Sequence, residues 1–174
     1  MKKIIIILTL LITTFIYKEV KNTDSIIPND AIRLRVIPNS NSILDQNMKN
    51  KVKTYLENNT YNLIKDEDNI DVARSKIKNN IPTIKENVNK IFKENNYTMP
   101  YDINYGYNYF PEKQYRGIKY NEGYYESIVI SIGDAKGDNW WCVLFPNLCL
   151  ADYESNDENE YKLGVAEKVK KIFN

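Results

Sequence analysis

The sequence predicts an α+β fold: an antiparallel sheet of about four strands, covered on one face by helices, after an N-terminal signal segment. Three observations predict it. Apolar and polar residues alternate over residues 31–37, 101–110 and 124–132, the period of half-buried strands. Apolar residues recur at spacings of three and four between Leu44 and Ile91, the period of amphipathic helices. The resulting order, β-α-α-α-β-β-β-α, segregates helices from the later strands, so the sheet packs as one layer against the helices.

The chain opens with Met1-Lys2-Lys3 and an apolar stretch over residues 4–17. That stretch has signal-peptide length, about fourteen residues, and is short for a spanning helix, which needs about twenty. The basic end should stay in the cytoplasm while the rest crosses. No A-x-A cleavage site is visible, so residues 1–17 read as a signal peptide or an uncleaved signal-anchor. Membrane association would run through residues 4–17 in the second case. Residues 18–29 read as a polar spacer, residues 30–152 as the main domain, and residues 153–174 as an acidic loop with a C-terminal helix.

Bulk properties exclude several function classes. At 174 residues one domain is the default. The formal net charge is +1 and no basic block stands out, which argues against a nucleic-acid partner. Histidine is absent. Ser-His-Asp and Cys-His catalysis, histidine metal ligands and a histidine general base are thereby excluded.

In residues 31–37, Ile32, Leu34 and Val36 share one side and Arg33 and Arg35 the other. Pro38-Asn39-Ser40-Asn41-Ser42 stops this strand, and Ser42 with Asp45 resembles a capping box. A helix should follow to about residue 57, with Leu44, Met48, Val52, Tyr55 and Leu56 as its apolar stripe, ended by Asn58-Asn59. A second stripe joins Ile70, Ala73, Ile77, Ile81, Ile84, Val88 and Ile91. Pro82 breaks the hydrogen-bond ladder, which predicts two helices, about 70–80 and 82–95, rather than one kinked helix. Packing on the domain's own sheet explains the stripe better than a coiled coil.

Residues 101–110 place Tyr101, Ile103, Tyr105, Tyr107 and Tyr109 on one face. Such a ladder is either a packing face with wet hydroxyls or a glycan platform. Residues 111–123 read as a loop. Residues 124–132 form the next strand, and Gly133-Asp134-Ala135-Lys136-Gly137-Asp138 turns it into residues 139–145, predicting a hairpin. In that last strand Trp140, Cys142 and Leu144 share one face and Trp141, Val143 and Phe145 the other. The C-terminal helix should bury Leu163, Ala166, Val169 and Ile172 or Phe173.

Three features bear on chemistry. Cys142 and Cys149 would stand roughly 23 Å apart along a straight strand, whereas a disulfide needs Cα atoms within about 7 Å. Phe145-Pro146-Asn147-Leu148 offers the reversal a bridge requires. A disulfide and two buried thiols both fit; export favours the disulfide. The 133–138 loop lacks the phosphate-loop pattern and precedes a strand, and Asp134 and Asp138 are too few oxygen ligands for a cation site. Arg33 and Arg35 either pair with carboxylates such as Glu126 across the sheet or bind a partner's carboxylate. With helices on one face only, both arginines and one tryptophan should look outward.

These pieces resemble a known family. Ile32-Arg33-Leu34-Arg35-Val36-Ile37-Pro38-Asn39-Ser40-Asn41-Ser42, then Asp45-Gln46, Asp71-Val72-Ala73-Arg74 and above all Gly133-Asp134-Ala135-Lys136-Gly137-Asp138-Asn139-Trp140-Trp141-Cys142-Val143-Leu144-Phe145-Pro146-Asn147-Leu148-Cys149 are similar to the stage II sporulation protein R family of endospore-forming bacteria. The resemblance spans roughly residues 30–152. Asn147 stands where the family usually has a second proline, and residues 121–128 match the family pattern loosely. The resemblance implies a protein made in the forespore and exported into the space between forespore and mother cell. There it would activate a membrane-embedded aspartic protease that cleaves the sigma-E precursor. It implies a signal rather than an enzyme, with no catalytic residue, metal or cofactor. The candidate partner-binding residues are Arg33, Arg35, Asn39, Asp138, Asn139, Trp140 and Trp141. The alternatives are a cell-wall-acting enzyme and a glycan-binding module in the same space.

Overall fold

A computed structural model describes residues 27–115, 118–146, 148 and 158–173, with the side chains of residues 61 and 158–161 excepted. The expected signal segment and most of the spacer lie outside the described residues. Ile27, at the end of that spacer, is already buried in the fold. No helix among the described residues is long and apolar enough to cross a membrane.

Strand β1 (Ile32–Ile37) is followed by helices α1 (Ile43–Ile64) and α2 (Ile70–Glu94). Strands β2 (Tyr101–Phe110), β3 (Lys113–Tyr115), β4 (Ile118–Tyr120), β5 (Gly123–Ile132) and β6 (Trp140–Phe145) follow, and α3 (Glu158–Phe173) closes the chain. The main sheet has the order β2-β5-β1-β6, and among the described residues β3 and β4 form a separate two-stranded sheet.

The α+β class holds, but the sheet is mixed and the expected β5–β6 hairpin does not form. β1 lies between the two strands, parallel to β5 (Leu34↔Ile128) and antiparallel to β6 (Leu34↔Cys142). The reason is the connection. β1 and β5 run the same way and end side by side. Residues 133–139 cross over the residues leaving β1, so β6 returns along its far side. Ile32, Leu34 and Val36, all buried, suit the central position.

Helix α1 begins at Ser42, whose Oγ accepts from the Asp45 N–H at 3.2 Å. It passes through Asn58-Asn59 and ends about two turns later than expected. Asn59 and Asn62 donate their side-chain amides back to the carbonyls of Tyr55 and Asn58. Continued burial of Thr60 and Ile64 holds the extra length. Leu44 is not in the stripe: it is 61% exposed, and Asp45 turns inward instead.

Helix α2 is a single helix through Pro82, not two. Asn69 caps it by accepting from the N–H groups of Asp71 and Val72 at 2.8 and 3.2 Å. Pro82 is exposed, while Ile77, Ile84 and Val88 on either side of it are buried. Sheet packing therefore outweighs the one ladder bond the proline removes.

Both helices cover one sheet face, burying Leu34, Val36, Ile128, Ile130 and Ile132 against Met48, Val52, Leu56, Ile77, Ile84 and Val88. Besides the buried Thr60 and Asp45, a charged cluster enters this layer. Glu126 accepts from Arg74 Nε and NH2 at 2.7 and 2.8 Å and from the Tyr105 hydroxyl. The cross-sheet carboxylate is thus used by Arg74, not by Arg33 or Arg35.

The opposite face is not open. A second cluster unites Ile27, Ala31, Ile118, Tyr120, Val143, Leu148 and Val165, and a third unites Phe110, Tyr125 and Val129. Trp141 packs against both. The β3–β4 pair thus forms part of a roof where a plain loop was expected. On α3 the buried position is Val165, and Leu163 is exposed. Val169, Ile172 and Phe173 of the expected stripe do pack on the fold, and contact with the Tyr120 cluster adds Val165 to them. A register shift at Ile32/Arg33 also turns Phe145 to the helix side, where it meets Phe173 at a centroid distance of 6.2 Å.

Candidate functional site

The two stretches that are most distinctive in the sequence meet at one end of the sheet. Lys136 and Gly137 donate their N–H groups to the carbonyls of Asn39 and Pro38 at 3.2 and 3.1 Å. Asn39 Oδ1 accepts from the Asp134 N–H at 3.0 Å, and Asn41 Oδ1 from the Asp138 N–H at 2.6 Å. Gln46 and Lys49 of α1 donate to the Asp138 carbonyl at 3.4 and 3.1 Å. Strand exit, loop and helix start are therefore one hydrogen-bonded junction.

Asp45 is its hub. One carboxylate oxygen accepts from Ser40 Oγ at 2.5 Å and Asn39 Nδ2 at 3.0 Å, the other from the Tyr97 hydroxyl at 2.5 Å. The Ser40 bond above all, then the Tyr97 bond, lowers the Asp45 carboxyl to a pKa of about 2. Burial first, then the same bond, raises the Tyr97 phenol. In the sequence Asp45 figured as the third position of a capping box and, with Asn41, in the motif that carries the family resemblance, but nothing there joined the two, and Tyr97 carried no signal. The missed partnership joins residues 52 positions apart.

The second cluster lies on the roofed face. Arg33 is fully buried rather than outward-facing. Its guanidinium carbon stands 3.3 Å from the Tyr125 ring centroid, 5.4 Å from Phe110 and 5.6 Å from Trp141. Nε and NH1 have no hydrogen-bond partner. Burial pulls the pKa of this group down. Cation–π contact returns about 2 kcal/mol when desolvated, whereas an unpaired buried charge costs several. Arg33 is under-compensated where it sits.

Arg35 is half-buried beside it. With the Asn139 amide turned to satisfy both groups, its oxygen accepts from Arg35 Nε and NH2 at 3.2 and 2.7 Å. Arg35 NH1 also reaches the Tyr109 carbonyl at 3.5 Å. Neither arginine has an ion pair among the described residues.

The candidate residues thus divide. Asn39 and Asp138 belong to the junction, Asn39 through its side chain and Asp138 through its backbone, with the Asp138 carboxylate exposed. Arg33, Arg35, Asn139 and Trp141 gather on the roofed face. Both tryptophans are half-buried. Trp140 packs on the helix side, with Lys53 Nζ 5.4 Å from its ring. Trp141 meets Tyr120 edge-on at 4.7 Å. Cys142 is half-buried on the helix side, beside Leu34. Its expected partner, Cys149, lies outside the described residues. The described residues contain no group of His, Cys, Asp or Glu able to hold a metal ion.

A family model described as stage II sporulation protein R matches residues 28–155. The chain belongs to that family. Stage II sporulation protein R of Bacillus subtilis (strain 168) is 32% identical over 155 residues, covering 87% of this chain and 69% of that protein. No solved structure matches the chain. The family match takes in the whole junction and the whole arginine face, and α3 lies outside it. Membership places the chain among sporulation proteins.

Proposed function

We propose that the chain is an exported intercompartmental signal of endospore formation. In this reading it leaves the forespore, enters the space between forespore and mother cell, and activates the membrane-embedded aspartic protease that processes the sigma-E precursor. The family match over residues 28–155 carries the proposal. The structure supports it with a rigid junction and a face bearing two arginines that have no carboxylate partner among the described residues, which suits a module that binds rather than reacts. No step of covalent chemistry is assigned to the chain. The Cys142–Cys149 bridge belongs to the same reading: the exported protein should give no titratable thiol.

The test is Arg35→Glu, which changes a half-buried side chain and leaves the core intact. The folded, exported variant should no longer support sigma-E precursor processing. Normal processing by that variant would remove this face from the signalling surface.

Exposed Tyr107, Tyr109 and Tyr124 at one end of the β2–β5 pair favour a second reading, a glycan-binding module. Binding of the purified chain to cell-wall glycan, lost in Tyr107→Ala, would support it.

A further inference from the structure

We infer that Arg33, with Arg35 beside it, is the receiving site for a carboxylate of a protein partner, an Asp or Glu side chain that enters beneath the β3–β4 pair. This rests on the signalling reading above and names the chemistry its partner must present. Three observations carry it.

The first is Arg33 itself, fully buried with Nε and NH1 unpartnered. A guanidinium offers its planar N–H groups to carboxylates in pairs, and here two of its three nitrogens are free to do so. The second is position. Arg33 and Arg35 are two residues apart on one strand and face the same side, about 7 Å apart. Neither has an ion pair among the described residues, so the face carries two positive charges ready for a negative partner. The third is the cover. Tyr120, which packs on Trp141, comes from β4, and β4 is bonded to the sheet through no strand ladder. This pair of three-residue strands stands outside the ladder of the main sheet, so moving it aside breaks no bond of that ladder. Aromatic walls favour a planar carboxylate over a more strongly hydrated tetrahedral anion.

The experiment uses the full chain and small probes. Urea unfolding is followed in chloride, acetate and inorganic phosphate at matched ionic strength, for the natural chain and for Arg33→Met. Exclusion of these anions from protein surfaces raises both proteins alike, so the readout is the difference between them. Acetate should raise the midpoint of the natural chain more than that of Arg33→Met, and phosphate should raise the two equally. Arg33→Met should unfold in chloride at or above the natural midpoint, because it removes an uncompensated buried charge. In cells it should fail to support sigma-E precursor processing.

An acetate response equal in both proteins would overturn the site. A chloride midpoint that falls in Arg33→Met would make Arg33 a stacking residue of the fold and overturn it too. A phosphate response above that of acetate would overturn the carboxylate assignment. Normal processing by Arg33→Met with the acetate difference intact would detach the site from signalling. The acetate comparison still decides if the natural chain proves to have no part in processing. Should Arg33→Met fail to fold, Arg33→Lys keeps the charge without the planar fork and should lose most of the acetate response.

Discussion

Gly137 lies so close to Ser40 that a Cβ on it would fall 2.3 Å from the Ser40 carbonyl oxygen and 2.6 Å from its carbon. Both contacts are to backbone, which cannot swing aside. The loop and the residues leaving β1 are thus pressed together at a point that only glycine permits. Gly137→Ala should lower stability by about 1–3 kcal/mol, the usual cost of overpacking. Gly133→Ala should do likewise, since Gly133 has φ +55° and its Cβ would meet the Asn39 side chain. Urea unfolding of the two proteins measures both, and an unchanged midpoint for Gly137→Ala would mean that the junction yields more easily than its contacts imply.

The carboxylate of Asp45 should make stability depend on acid. Its folded pKa, about 2, lies below the ordinary value of 3.8. The contribution is therefore complete above the unfolded value and is lost as pH falls from about 4 through about 2. For this buried carboxylate the contribution amounts to about 2 kcal/mol. Asp45→Asn should flatten that part of the stability–pH curve. Tyr97→Phe should cost about 1 kcal/mol through one lost hydrogen bond.

Glu126 and Arg74 form an ion pair under the helices, and removing one partner should hurt more than removing both. Glu126→Ala leaves Arg74 Nε and NH2 and the Tyr105 hydroxyl without their acceptor and should cost about 3 kcal/mol. Adding Arg74→Met to Glu126→Leu should recover most of that loss. A double-mutant cycle by chemical denaturation reads the coupling.

Pro82 sits in mid-helix with its ring exposed, and nothing in the fold requires it. Pro82→Ala should restore the ladder bond to the Lys78 carbonyl and raise stability by about 1–3 kcal/mol. A lower midpoint would show that the proline itself helps to seat Ile84 and Val88.

The strands and the helical stripes were legible because period two and period three-to-four are local. Val52, Leu56, Ile77 and Ile84 are buried where the spacing put them. What was not legible depends on sequence-distant choices. Alternation in β1 marks which side each residue takes but not which strands flank it, so the parallel pairing with β5 was hidden. Arg33 and Arg35 lie on the side opposite the helices as expected, yet the roof over Arg33 is built by Tyr120, Tyr125 and Phe110, residues far along the chain. Ser42 as a cap was visible in four residues, whereas Asp45 as a hub required knowing that Tyr97 returns to it. Leu44 lost its place in the core because a carboxylate with hydrogen-bond partners took it.

Among the described strands, β1, an interior strand of the main sheet, comes first in the chain, and the two that flank it, β5 and β6, come last. β1 cannot hydrogen-bond on either side until β5 and β6 exist. A chain threading a membrane from its N-terminus would carry β1 across unpaired and settle only when nearly all of it had passed. In the proposed export, a chain stalled in transit lacks the finished sheet, and only a chain that has passed across completes it.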